Sequence, residues 1–293
     1  MKLATAPVNW NNNDVRDYRE WTPYPQLLEE MLTAGYTATE WDVCMENDAA
    51  RMRADLQTKH LQMLGRFVGL ELRNPEKREI EIKRGLEIAR FLKMIGGEYL
   101  IAADSGDERR WREAGHVDPE GGLSEAQWRS LGAGLNELGR RVKEDGMQVV
   151  FHNHVGTYVE TEAETGRLLD ETDPGLVGWC LDCGHLAYGG GDTLRMLTQY
   201  GDRVRYVHIK DVDGKVLASS QTEQWGFDKA LKSFIFCPLG QGVARVPDVI
   251  RALKLNSYEG WLVIEQDTTP LDPTENAKQN RIYLENLLTK EGI

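Results

Sequence analysis

Cysteine is scarce in this sequence, with four among 293 residues, and its spacing removes several function classes. Cys44 and Cys237 stand alone, while Cys180 and Cys183 form a single C-x-x-C in "WCLDCGH". A zinc ribbon needs a second such pair, which is missing. A thioredoxin-type motif would open a helix, whereas this one straddles the expected end of a strand. The four are read as reduced, buried or half-buried thiols of a cytoplasmic protein. Positive charge is short as well: 35 Lys and Arg stand against 47 Asp and Glu, a formal net charge of -12. Such a chain repels polyanions over most of its surface, which sets nucleic acid aside as a partner. No stretch approaches the roughly 18 uninterrupted apolar residues of a membrane helix. The opening MKLATAPVNWNNND has one lysine and runs quickly into asparagine, so it is not expected to act as a signal peptide.

Two further absences bear on the fold. No G-x-G-x-x-G follows the first apolar run, which speaks against a doubly wound dinucleotide-binding sheet. No linker or low-complexity segment divides the chain. What the chain does have is regular alternation. Apolar runs at 2–10, 36–43, 61–72, 98–104, 149–154, 175–182, 203–211 and 260–267 read as strands. Amphipathic stretches at 24–35, 47–59, 75–97, 124–146, 161–171, 192–200, 247–254 and 273–290 read as helices. Several close on glycine, and Ser124 is placed to cap the fourth. Eight strand–helix units in under 300 residues predict an α/β fold, a single (β/α)8 TIM barrel spanning 1–293. The long connection at 212–242 is the one irregular piece, expected as a lid over the site.

A barrel of this kind does its chemistry at the C-terminal ends of its strands. There, four successive strands finish an apolar run with a metal-capable or acid–base residue. The fifth ends in His152 and His154, the sixth in Asp182 with His185 three residues on. The seventh ends in His208 and Lys210, the eighth in Glu265 and Asp267. Each alone has an ordinary structural explanation, such as a cap, a salt bridge or a hydrogen-bonded histidine. Four adjacent strands facing one mouth make the shared explanation a site. Carboxylates with one or two imidazoles suit Mn²⁺, Co²⁺, Mg²⁺ or Zn²⁺ with positions left open for substrate. Lys210, two residues past His208 and on the same face, can polarise an oxyanion beside the ion. This is a setting for enolate-type chemistry on a polyol or keto sugar.

The segments "ATAPVNW", "FHNHVGTYVET", "LDCGHLAYGGGD", "YVHIKDV", "PLGQGV" and "GWLVIEQD" carry a resemblance over nearly the whole chain. It resembles the sugar phosphate isomerase/epimerase superfamily of xylose-isomerase-like barrels, and within it the inosose dehydratase branch. The resemblance implies a divalent ion, Mn²⁺ or Co²⁺ first, held by Glu, Asp, His and Glu from four strand ends. Asp182, His208 and Glu265 match the last three. His152 stands where the first glutamate is usual, so the fourth ligand is either His152 or Glu160 from the following loop. His154 matches a substrate-contacting position and is expected to act as base or acid, with Lys210 on the oxyanion. His185, Glu40 and Gln241 are expected at the substrate. The implied reaction removes a proton next to a ketone and expels the β-hydroxyl.

Epimerisation, isomerisation or elimination from a 3-keto-glycoside shares the same first step and stays open. DNA-repair barrels of the endonuclease IV type share some signals, but they need three zinc ions and a surface for phosphate, which the acidic balance opposes. A non-catalytic sugar sensor would show a broken ligand set. The implied partner is a small polyol or keto sugar, and barrels of this type often form homo-oligomers.

Overall fold

The apolar run that opens the chain supplies the first of eight parallel strands in a computed structural model that describes residues 1–293. The strands are β1 (Lys2–Thr5), β2 (Ala38–Thr39), β3 (Gln62–Met63 and Gly65–Leu70), β4 (Tyr99–Asp104), β5 (Gln148–His152), β6 (Val177–Asp182), β7 (Val204–Ile209) and β8 (Trp261–Ile264). β1 pairs with β8 and β2, and the order runs on through β7, β6, β5 and β4 to β3. β3 closes the ring by pairing Gln62–Met63 with β2 and Gly65–Leu70 with β4. Leu64 belongs to both, donating its N–H to Thr39 and accepting from Glu98 and Tyr99. The fold is a TIM barrel.

Strand pleat decides what enters the barrel. Ala4, Ala38, Leu64, Ile101, Val150, Cys180, Tyr206 and Val263 fill the interior in one apolar plug. Their neighbours Val149, Phe151, Trp179, Leu181, Val207, Leu262 and Ile264 point outward into the large core beneath the helices. One two-residue step along each strand therefore lifts the interior from plug to mouth. Val150 leads to His152, Cys180 to Asp182, Tyr206 to His208, Val263 to Glu265 and Ala38 to Glu40. A second step reaches His154, Lys210, Asp267 and Asp42.

The expected helices form with local signals in place. Ser124 completes a capping box with Gln127 on helix Glu125–Glu144, and Thr161 does so with Glu164 on Glu162–Glu171. Several strands are shorter than their apolar runs. β1 stops at Thr5, because Pro7 opens a 3₁₀ turn over Pro7–Asn9, and β2 keeps only Ala38–Thr39.

The connection at 212–242 is built rather than loose. It holds helices Gly214–Glu223 and Phe227–Lys232, and an antiparallel pair of Asp211–Val212 with Phe236–Cys237. Val212, Phe227, Ala230, Leu231, Ile235 and Phe236 pack with Val15, Ala114, Val155 and Tyr188 in a core of their own above the barrel. All four cysteines are free thiols, and no helix is long and apolar enough to cross a membrane.

Candidate active site

At the mouth, four donor atoms from four consecutive strands converge. His152 Nε2 lies 3.2 Å from His208 Nδ1 and 3.3 Å from Asp182 Oδ2. His208 Nδ1 lies 3.1 Å from Glu265 Oε2 and 3.9 Å from Asp182 Oδ2. Ligands held at about 2.0–2.3 Å around one ion sit about 3.0–3.5 Å apart at neighbouring vertices. Three of the four separations match that spacing, and the His208–Asp182 pair is longer at 3.9 Å. Asp182 Oδ2 is buried without a hydrogen-bond donor, because the same carboxylate uses Oδ1 to cap helix Cys183–Tyr188 through the N–H of His185 at 2.7 Å. Its N-cap role and its place in the site coexist on opposite oxygens.

Electrostatics point the same way. Glu40, Asp182, Glu265 and Asp267 are all buried here, with Lys210 the one lysine among them. Buried carboxylates in excess over cations are costly unless a further positive charge joins them. A divalent ion fits this donor set by charge, by ligand type and by spacing.

Glu40 is not turned to the cavity as a free hydroxyl-binding group. Its Oε1 accepts from His208 Nε2 at 2.8 Å, so Nε2 carries a hydrogen and Nδ1 faces the other donors. A carboxylate behind a ligating histidine is a common outer support of metal sites. Burial opposes a charged His208, yet Cys180, Glu265 and Glu40 hold its pKa well above the ordinary value. Burial likewise opposes an ionised Asp182, but Lys210 and His152 keep its pKa low.

His154 sits one step above His152, with ring centroids 5.5 Å apart. Asn153 between them faces the other way, donating to Asp182 O at 3.0 Å and accepting from the Trp179 indole N–H at 3.0 Å. His154 Nδ1 lies 2.6 Å from the Val155 carbonyl. A carbonyl only accepts, so Nδ1 carries the hydrogen and Nε2 keeps its lone pair. Burial, with His152 and Lys210 nearby, pushes the pKa of His154 down to about 3, and the ring is neutral. His185 stacks on it at 3.8 Å between centroids. Phe227 and Phe236 wall this imidazole pair from the 212–242 segment, so that segment covers one side of the site with apolar rings.

Lys210 Nζ lies 2.7 Å from Asp267 Oδ1, 3.1 Å from Glu265 Oε2, 3.5 Å from Asp182 Oδ2 and 3.2 Å from His185 Nε2. Asp267 thus holds the lysine in place. The cavity over these groups measures about 160 Å³ and is closed on its far side by Asn12, Asn13, Asp14, Trp41, Asp42 and Phe67.

Two expected residues lie elsewhere. Gln241 is exposed and outside the cavity lining. Asp211 accepts from the N–H groups of Gly240, Gly242 and Ala244, and this fastens the Gly-Gln-Gly turn away from the mouth. Glu160 accepts from Gly115 and Gly156 N–H at 2.7 Å each, so both its oxygens are engaged outside the donor cluster; His152 is the residue placed there. Sequence reasoning missed Asn12, Asn13, Asp14, Trp41, Asp42 and Phe67. The run of polar residues directly after the first strand, "NWNNND", was the available signal for the first three.

A family model described as xylose isomerase-like TIM barrel matches residues 28–287. The chain belongs to this family. It is 33% identical over 292 residues to an inosose dehydratase of Geobacillus kaustophilus, covering 98% of this chain and 95% of that one. An inosose dehydratase of Clostridium perfringens is 31% identical, with 97% and 96% covered. Among solved structures, the IolI protein with a bound zinc atom superposes with a TM-score of 0.74 at 18% identity, covering 99% of each chain.

Proposed function

We propose that this protein is a hydro-lyase acting on a keto-cyclitol of the inosose type with the help of one divalent ion, Mn²⁺ or Co²⁺ foremost, with Mg²⁺ and Zn²⁺ also compatible with the donors. The observation that carries this reading is the set of four converging donor atoms beside a neutral, uncommitted imidazole and a buried lysine. Likeness over nearly full length to proteins named inosose dehydratase supports it.

In this reading His152, Asp182, His208 and Glu265 hold the ion, and Glu40 orients His208. When bound, the ion supplies Lewis-acid polarisation of a ketone oxygen. Lys210 donates a hydrogen bond to the oxygen as it gains negative charge. His154 Nε2 takes the proton from the carbon next to the ketone; the electrons then form the C=C bond as the β C–O bond breaks, and the departing hydroxide takes up the proton held on His154 and leaves as water. His185, stacked on His154, contacts the substrate. Phe67, Phe227 and Phe236 keep bulk water from the imidazoles.

The test is chelation followed by single-metal add-back with 2-keto-myo-inositol. Loss of one water from the substrate mass, only with metal present, supports the reading. A constant mass with solvent deuterium entering the ring assigns an epimerase instead. No change with any ion removes this substrate class.

A further inference from the structure

The C-x-x-C of the sequence has no part in the proposed reaction, and the fold divides it. Cys183 packs in the outer core, its Sγ 3.3 Å from the Lys210 carbonyl. Cys180 faces the barrel interior and is fully buried. It is the direct neighbour of His152 in the β5–β6 ladder, and it stands one two-residue step below Asp182. One ligand atom each from His152, Cys180 and His208 lies within 4.8 Å of the others. A thiol therefore borders the two imidazoles from the plug side, while the carboxylates of Asp182 and Glu265 meet them from the mouth.

A second observation marks the same place. His152 Nδ1 is buried without a hydrogen-bond partner, whereas the His208 ring is tied through Nε2 to Glu40. Most buried polar atoms are paired with protein, water or an ion, and a ligating histidine is ordinarily fixed through its second nitrogen. The His152 ring lacks that anchor, so nothing commits it to the carboxylate side. Ligand atoms of a four-coordinate site sit about 3.0–3.8 Å apart. The two imidazoles already meet that condition at 3.2 Å, and rotation about the single side-chain bond of Cys180 brings its sulfur nearer. The two donor sides differ in kind. Carboxylate oxygen suits Mn²⁺ or Mg²⁺, and thiolate sulfur selects softer ions.

We propose that Cys180 gives the barrel a second, soft-metal site: a thiophilic divalent ion such as Cd²⁺ or Zn²⁺ is held by His152, His208 and the Cys180 thiolate, and it excludes the hard ion held with Asp182 and Glu265. On binding, the S–H bond of Cys180 breaks, its proton leaves to solvent and a sulfur–metal bond forms. The site stands on its own ligands. Its inhibitory consequence rests on the dehydratase reading, because both ions need the same two imidazoles.

The test reads metal binding rather than turnover. Metal-free protein is titrated with Cd²⁺ while thiolate-to-metal charge transfer is followed in the ultraviolet. The wild type and Cys183→Ser are expected to give a band that saturates at one ion per chain, and Cys180→Ser to give none. Protein preloaded with Mn²⁺ is expected to release that ion as Cd²⁺ is added, read from the paramagnetic resonance of free Mn²⁺. Cys180→Ser raises the Cd²⁺ needed for release by at least about tenfold and leaves Mn²⁺ affinity within about twofold. Melting curves confirm that each variant is folded. No band in the wild type, a band that persists in Cys180→Ser, or Cd²⁺ and Mn²⁺ bound together would each overturn the proposal. A Cys180-dependent band in a protein that neither retains Mn²⁺ nor dehydrates the keto-cyclitol would keep the soft-metal site and remove the proposed reaction.

Discussion

The two halves of the barrel mouth are made of different material. β5 to β8 place His152, Asp182, His208 and Glu265 in one interior layer, with their donor atoms mutually close. From the β1–β4 side come Asn12, Asn13, Asp14, Trp41, Asp42 and Phe67, set as a wall around the remaining space. Glu40 on β2 is the link, since its carboxylate crosses to the far half and holds His208. On the proposed reading, the contrast separates chemistry from recognition. A barrel makes this division cheap to evolve, because each strand end can change without disturbing the apolar plug below.

Variants sharpen or break that division. The largest effect is expected from Asp182→Asn, which removes a charged donor from the cluster. Bound metal measured after gel filtration falls well below one ion per chain, and turnover drops by at least about a thousandfold. His154→Ala comes next: kcat falls by about 10²–10⁴, while metal content stays at the wild-type level, because its Nε2 is outside the donor cluster. On the other half, Phe67→Ala removes an aromatic edge packed on His152 and His154 at 5.4 and 5.5 Å. KM is expected to rise by about tenfold with kcat changing less, since the ring shapes the space and moves no proton. The smallest effect is that of Gln241→Ala. Its side chain is exposed and outside the cavity, so both constants stay within about twofold. A large Gln241 effect, or metal loss in Phe67→Ala, would erase the boundary between the halves.

The chemical half was legible in the sequence because β5 to β8 end the same way. An apolar run stops at a residue that has no reason to be buried unless it is used, and the two-residue pleat then puts His152 with His154 and His208 with Lys210 on one face. The other half gave no such signal. β2 shrinks to two residues, and Asn12 to Asp14 follow a proline turn rather than a strand. Their place at the mouth depends on long-range hydrogen bonds, such as Asn12 to Asp267 and Asn9 to Ile264. Glu40 was visible as a polar strand end, but its partner lies 168 residues away, and no local pattern names it. Gln241 was expected at the substrate from the resemblance carried by "PLGQGV"; the three backbone bonds to Asp211 that pin the turn are tertiary facts. The 212–242 segment was read as a lid because of its length after the seventh strand. Its short helices are held by burial against Val15, Ala114 and Tyr188 rather than by their own propensity.

The central claim is that one ion sits among donors from four strands, with His152 as one of them. A crystal of the Mn²⁺-loaded protein, measured for anomalous scattering at the manganese edge, tests it most directly. The account predicts one peak per chain, within bonding distance of His152 Nε2, Asp182 Oδ2, His208 Nδ1 and Glu265 Oε2, with Glu40 still on His208 Nε2. A peak that leaves His152 unligated, or that draws Glu160 or Cys180 into the shell, would contradict it.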